Sequence, residues 1–275
     1  MAEIGALLLF QRICINIKQK IVEIYMNNYD LIICVYACDT IPKYRNQILK
    51  MNQTYNSVLK ELPNVKLLYF LGEQTTDLNG EQYIHLKNVH NDYLSASYKQ
   101  FLGLKYIHEN YQTKFVMCIG TDTYVNIKKL NLFLSQFDHN ENLYIGGHGD
   151  TRNFGSQKLF FHSGGPGFII TNKCLAKIYP KLEHFVDDWI LLCKENCNEY
   201  LIPACDVGIA YLINLQEINA KTIHCGDFIF THCNYKGFPC HVNKICMNNL
   251  ISCHNMSLND FDEFTNILIN NNYFL

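Results

Sequence analysis

Asp122 stands just beyond an apolar stretch, in Phe115-Val-Met-Cys-Ile-Gly-Thr-Asp-Thr-Tyr-Val-Asn126. A carboxylate in such a turn can hold a divalent cation against a diphosphate, because Mg²⁺ and Mn²⁺ favour carboxylate oxygens and share phosphate ligands. It can equally cap the helix that begins near Ile127. In His162-Ser-Gly-Gly-Pro-Gly-Phe-Ile-Ile170, three glycines in four residues imply close backbone approach or positive φ, or else a plain tight turn. Asp206, in Pro203-Ala-Cys-Asp-Val-Gly-Ile-Ala-Tyr211, sits where a helix starts. The helix dipole keeps a carboxylate ionised there, which suits a general base and equally an N-cap. His254 follows a short apolar run and by itself is an ordinary polar group. A serine-hydrolase elbow is excluded, because it needs glycine two residues before the serine and position 161 is phenylalanine. No glycine cluster has the G-x-G-x-x-G spacing of a dinucleotide site.

These residues need elements to carry them. Leu31 to Tyr36, Val65 to Leu71 and Phe115 to Ile119 are short apolar runs suited to buried strands. Between the first two, Asp39 or Thr40 is placed to cap a helix with Pro42 in its first turn. Strand, helix and strand at this spacing make a right-handed βαβ crossover, so the fold class is α/β. Helical spacing recurs at Tyr98-Phe101-Leu104-Ile107, Ile127-Leu130-Leu134, Phe185-Trp189-Leu192, Val207-Ala210-Tyr211 and Leu258-Phe261-Phe264-Leu268. Residues 144–170 read as small strands with close backbone approaches. Ile17, Ile21 and Ile24 imply an N-terminal helical extension over residues 1–29, ahead of one domain over 30–275. In open α/β sheets ligands sit beyond the carboxyl ends of the strands, which makes the turn from Gly120 to Asn126 a site candidate.

The chain has 275 residues, 48% hydrophobic and 17% charged, with a net charge of -2. That apolar content excludes disorder, and the near-neutral balance lacks the basic footprint of a nucleic-acid binder. The longest early apolar run, Ile4 to Phe10, is far short of the ~20 residues of a membrane span. The thirteen cysteines are an odd number in a chain long enough to need no disulfide staples, which leaves the redox compartment open. Sequons stand at Asn52-Gln-Thr54 and Asn255-Met-Ser257, the second beside His254.

In order and spacing these segments resemble the Fringe and β-1,3-glycosyltransferase family. The family's Asp-Asp-Asp-Thr-Tyr-Val-like motif is matched by Gly120-Thr-Asp-Thr-Tyr-Val125, its glycine loop by Ser163-Gly-Gly-Pro-Gly-Phe168, and its Glu-Asp-Val segment by Cys205-Asp-Val-Gly208. The late histidine stretch is matched by Cys253-His-Asn255, and an upstream motif by Asn91 to Gln100, which keeps Tyr93 and Lys99. The resemblance implies a GT-A-type fold, with a Rossmann-like, mostly parallel central sheet flanked by helices. It further implies an inverting transferase that moves a hexose or N-acetylhexosamine from a UDP-sugar to a glycan or glycoprotein hydroxyl. Asp122 and His254 would hold Mn²⁺ or Mg²⁺, and Asp206 would be the base. Tyr36, Arg45, Lys99, Thr121, Gly164 and Gly165 would line the nucleotide-sugar site. Two of the family's three motif acids are replaced by Gly120 and Thr121, and the glutamate before the base by Cys205. Asp260-Phe-Asp262 has DxD form but falls in the terminal helix, so it reads as coincidence. The family's secreted members use disulfides near Cys193, Cys197 and Cys205. Its Golgi members carry an N-terminal membrane anchor, which this sequence lacks. A soluble protein follows, with the cytoplasm slightly favoured over a Golgi or secretory lumen that would require a missing upstream segment.

Two rivals accompany that expectation. One is a catalytically degenerate domain that only binds a nucleotide sugar or glycan. The other is a zinc-stabilised interaction module, since Cys225, Cys233, Cys240, Cys246 and Cys253 recur near His224, His232, His241 and His254, though no close Cys-x-x-Cys pair occurs.

Overall fold

The computed structural model describes residues 28–73, 77–147, 149–229 and 249–270. The proposed N-terminal helix lies almost wholly outside these residues, and its last two positions, Asn28 and Tyr29, instead open the first strand.

Strand β1 (Asn28–Tyr36) pairs in parallel with β2 (Val65–Leu71) on one side and β4 (Gln112–Ile119) on the other. Outward from these lie β3 (Tyr83–His85), β6 (Leu143–Gly146), β9 (Phe168–Thr171) and β10 (Lys221–His224). The seven-stranded order is β10-β6-β9-β4-β1-β2-β3. Only β9 runs antiparallel to its neighbours, so the sheet is mostly parallel, as the resemblance implied. Side chains alternate along β1: Leu31, Ile33 and Val35 enter one core, Ile32 and Cys34 the other. Helices cover both faces, which is why the strands read as unbroken apolar runs. On the first face lie α1 (Pro42–Glu61), through Ile48, Met51 and Tyr55, and α7 (Leu258–Asn270), through Phe261, Phe264 and Leu268. On the second lie α2 (Ala96–Asn110), α4 (Asn172–Ile178), α5 (Phe185–Glu195) and α6 (Cys205–Asn214). Among the described residues no helix is long and apolar enough to cross a membrane.

Two capping expectations are corrected. The residue before α1 is Ile41, and no side chain caps that helix. Asp39 and Thr40 are turned to Asn91 instead: the Asn91 side-chain amide donates to Asp39, and the Thr40 hydroxyl donates to the Asn91 carbonyl. These bonds tie the end of β1 to the loop after β3. The cap of α3 (Ile127–Leu134) is Asn126, whose side-chain oxygen accepts from the Lys129 amide at 3.2 Å. Asp122 is therefore not the cap of that helix. Asn126→Ala is expected to cost about 1 kcal/mol in urea denaturation, the usual loss for a removed N-cap.

A small second sheet carries the structural consequence that matters most for the site. Strand β5 (Tyr124–Val125) pairs antiparallel with β12 (Ser252–Cys253), which pairs in parallel with β11 (Phe228–Ile229). The register sets Cys253 opposite Tyr124, and the Met256 amide donates to the Asp122 carbonyl at 3.0 Å. His254 is thereby delivered to the turn that holds Asp122.

Candidate active site

A cavity of about 440 Å³ opens beyond the carboxyl ends of β1 and β4, where an open α/β sheet places its ligands. The His254 Nε2 stands 3.4 Å from the Asp122 Oδ1 on its wall. Burial pushes the Asp122 carboxyl up, but the His254 imidazole, with help from the charge of Lys43, carries it below the usual aspartate value. Asp122 is thus held as a carboxylate next to an imidazole, and of the two the carboxylate is the donor suited to Mn²⁺ or Mg²⁺.

The glycine loop separates this pair from Asp206. A Cβ on Gly165 would lie 2.4 Å from the His254 Nδ1, and one on Gly164 would lie 3.2 Å from both the Asp206 Cβ and the Tyr36 Oη. Consecutive glycines therefore let His254 and Asp206 pack directly against one backbone. Gly167, at φ 90°, lets the chain leave the loop. Both readings of the cluster, close approach and positive φ, are realised within it. The loop is held firmly: Thr123 donates its hydroxyl to the Gly165 carbonyl at 2.7 Å, and the Ser252 hydroxyl donates to the Pro166 carbonyl.

Asp206 lies within the first turn of α6, one residue past its start, and Ala204 occupies the N-cap position. Its carboxylate accepts from the Gly164 amide at 2.9 Å and the Val207 amide at 3.0 Å. Burial raises its pKa above the ordinary aspartate value despite these donors. Tyr36, kept a neutral phenol by burial and by the nearby Cys205 and Asp206, donates to the Gly164 carbonyl at 3.3 Å.

Of the other residues singled out in the sequence, Lys99 lines the cavity but is no surface cation. It is 1% exposed, donates to the Asp92 carbonyl at 2.6 Å, and burial lowers its pKa. Thr121 lines the cavity while its hydroxyl donates to Gln47 at 2.7 Å. Arg45 is not brought to the cavity and pairs with the exposed Asp77 at 2.7 Å. Lys43 lines it instead. Two residues apart on a helix point about 200° apart, so only one of the two cations can face the site. The buried stripe of Ile48, Met51 and Tyr55 leaves the two cations about 100° to either side of it, so the sequence pattern does not choose between them. Tyr44 and Tyr93 were also not assigned to the site, and their rings stack at 5.8 Å along the cavity's edge. Asn255, the second sequon asparagine, lines the same cavity.

Asp260 and Asp262 stay away from this site. Asp260 accepts from the Ser257 amide, Asp262 pairs with Lys50, and Phe261 between them is fully buried. The nine described cysteines are free, among them Cys193, Cys197 and Cys205, so the disulfides suggested near these three are not formed. Cys233, Cys240, Cys246, His232 and His241 lie outside the described residues. Among those described, no group of three or more His, Cys, Asp or Glu could hold a metal.

The Fringe-like family model matches residues 28–224. The chain is a member of the Fringe-like family. Chondroitin sulfate synthase 3 from Mus musculus is 33% identical over 92 residues, and that from Homo sapiens 32% over 92 residues. Each match spans 30% of this Fringe-like chain and only 10% of the relative. A solved glycosyltransferase, involved in the glycosylation of the major capsid of PBCV-1, aligns over 86% of this chain and 98% of its own, at 17% identity and a TM-score of 0.48.

Proposed function

We propose that this Fringe-like chain is an inverting, metal-dependent glycosyltransferase, of β-1,3 type, that moves a hexose or N-acetylhexosamine from a UDP-sugar to a hydroxyl of a glycan or glycoprotein. The observation that carries this reading is the placement of His254 and Asp206 against consecutive glycines of one loop. One cavity thereby holds a paired carboxylate and imidazole on one wall and a separate buried carboxylate on the other. Asp122 and His254 are the residues that would hold Mn²⁺ or Mg²⁺. Two protein donors suit such an ion when diphosphate and water complete its shell. When bound, it would offset the charge that develops on the leaving diphosphate.

Asp206 takes the proton of the acceptor hydroxyl as that oxygen bonds to the anomeric carbon. The bond from that carbon to the diphosphate breaks, and its electron pair leaves with UDP. Attack from the face opposite the leaving group inverts the anomeric centre. The two amides on Asp206 orient it, and its raised pKa makes it a stronger base than an exposed aspartate. Lys43 and the Tyr44–Tyr93 edge supply positive charge and aromatic surface for the nucleotide.

A second reading, a domain that binds without turnover, draws on Gly120 and Thr121 standing in the places of two motif acids, with the Thr121 hydroxyl committed to Gln47. Thermal denaturation with UDP, with and without Mn²⁺, tests what both readings share. A ligand at about a hundred times its Kd stabilises by ~2.7 kcal/mol, which is a shift of several degrees for a domain of ordinary size. The shift is expected to require Mn²⁺ and to be lost in Asp122→Ala. An absent shift in the wild type would sink the donor-site assignment. Release of UDP from a UDP-sugar then separates transferase from binder.

A further inference from the structure

Asp206 borders a second cavity. This space, of about 290 Å³, is lined by Asp150, Arg152, Phe161, Tyr200 and Val207 and shares Ser163, Ala204 and Asp206 with the first. Its outer wall is a hairpin of β7 (Gly149–Phe154) and β8 (Gln157–His162). Its other wall is the single turn Glu199–Leu201 that precedes α6. The two walls are braced together: the Asn198 side-chain oxygen accepts from the Gly155 amide at 3.0 Å, and Phe154 stacks on the buried Trp189 with ring centroids 5.1 Å apart.

The lining combines an open aromatic ring with paired charged groups. Tyr200 is 63% exposed, an open aromatic surface on which the C–H face of a pyranose can lie. Opposite it, the Arg152 guanidinium lies 5.1 Å from the centre of the Phe161 ring. Its Nη1 donates to the Thr151 carbonyl at 3.0 Å and to the Asp150 carboxylate. That guanidinium beside the carboxylate, whose Oδ1 also accepts from the Thr151 amide at 2.7 Å, presents donors and remaining acceptor lone pairs side by side, the edge that adjacent sugar hydroxyls require. The volume is at the small end for ligand pockets and matches one monosaccharide better than an extended chain. Around it the Arg152 cation faces two carboxylates, Asp150 and Asp206. An acidic sugar would meet an excess of negative charge there, and a neutral one would not.

We propose that this second cavity seats the acceptor's terminal residue, a neutral pyranose, with Tyr200 as its platform and Arg152 and Asp150 as its hydrogen-bonding edge. The inference rests on the transferase reading, because Asp206 can serve as base only if the attacking hydroxyl reaches it from a space adjoining the donor cavity.

Saturation-transfer NMR on the UDP- and Mn²⁺-loaded protein tests it. The probes are the methyl β-pyranosides of galactose, glucose, N-acetylgalactosamine and N-acetylglucosamine, with methyl β-D-glucuronide as the acidic comparison. At least one neutral glycoside is expected to bind, and more tightly than the glucuronide. Tyr200→Ala and Arg152→Ala are each expected to weaken that binding by about tenfold, the scale of one lost stacking or charged hydrogen-bond partner. Neither should alter the Mn²⁺-dependent thermal shift with UDP, and that shift also shows that each variant is folded. Binding of no neutral glycoside, tighter binding of the glucuronide, or wild-type glycoside binding in both variants would overturn the acceptor assignment while the donor site stands. Absence of UDP binding in the wild type would instead remove the transferase reading itself.

Discussion

Asp206→Asn is expected to lower turnover by about 10²–10⁴-fold, the range for loss of a positioned general base, while UDP binding and the melting temperature in its presence stay near wild type. The separation follows from geometry. Asp206 reaches the wall of the 440 Å³ cavity through Gly164, whereas the Asp122–His254 pair lies across Gly165 and is untouched by the change. The pH profile supplies a second signature. Burial raises the Asp206 pKa in the folded protein, so its basic form is lost as pH falls through a value above the ordinary 3.8. The acidic limb of kcat/KM should therefore lie above that of an exposed aspartate and vanish from the residual activity of the variant. The contribution of Asp206 to stability has the opposite pH dependence. A carboxyl with a raised folded-state pKa favours folding most when protonated, below its unfolded-state pKa, and that contribution is lost as pH rises through the folded value. Ionised Asp206 is thus a cost at neutral pH, and its removal offsets the one amide bond that asparagine cannot accept, so the variant's loss of turnover should not be accompanied by unfolding. Turnover within threefold of wild type would remove Asp206 as base.

Gly165→Ala should do the converse. The backbone there tolerates alanine, because Gly165 does not have a left-handed φ. Space is what forbids the change: the added methyl would meet the His254 ring at 2.4–2.8 Å. The ring must shift from its place beside Asp122, and a displacement on the order of 1 Å in a positioned group can cost about 10²-fold in function. Mn²⁺-dependent UDP binding, followed by calorimetry, is expected to weaken by about that factor. The stability loss should stay within the ~1–3 kcal/mol typical of overpacking. Gly226→Ala serves as the control, since a Cβ there meets nothing within 4 Å and binding should be unchanged. Wild-type UDP affinity in Gly165→Ala would show that His254 does not need its place beside Asp122.

The central strands were legible from the sequence because each is buried on both faces, and five or more adjacent apolar residues say so locally. The helices announced their buried stripes in the same local way, through Phe101, Leu104 and Ile107 or Phe261, Phe264 and Leu268. Caps were less legible. Asp39 and Thr40 are good capping residues that a distant loop claimed through Asn91, and Asn126 took the cap for which Asp122 was an alternative. Which cation faces the cavity was equally hidden: Arg45 and Lys43 differ only by the phase of α1, and that phase is set by packing rather than by the charges themselves.

What the sequence determined by itself was the α/β class, the order of the elements and the identities of Asp122, Asp206 and the glycine loop, because each is written in residues that are neighbours along the chain. The tertiary structure alone decided where they stand relative to one another. It aligned β12 on β5 and so set His254 beside Asp122, and it packed His254 and Asp206 against the bare backbone of Gly165 and Gly164. It also folded the β7–β8 hairpin over the turn before α6 to enclose a second space beside Asp206. Those relations depend on strand register and packing between segments far apart in sequence, where no local pattern carries the information.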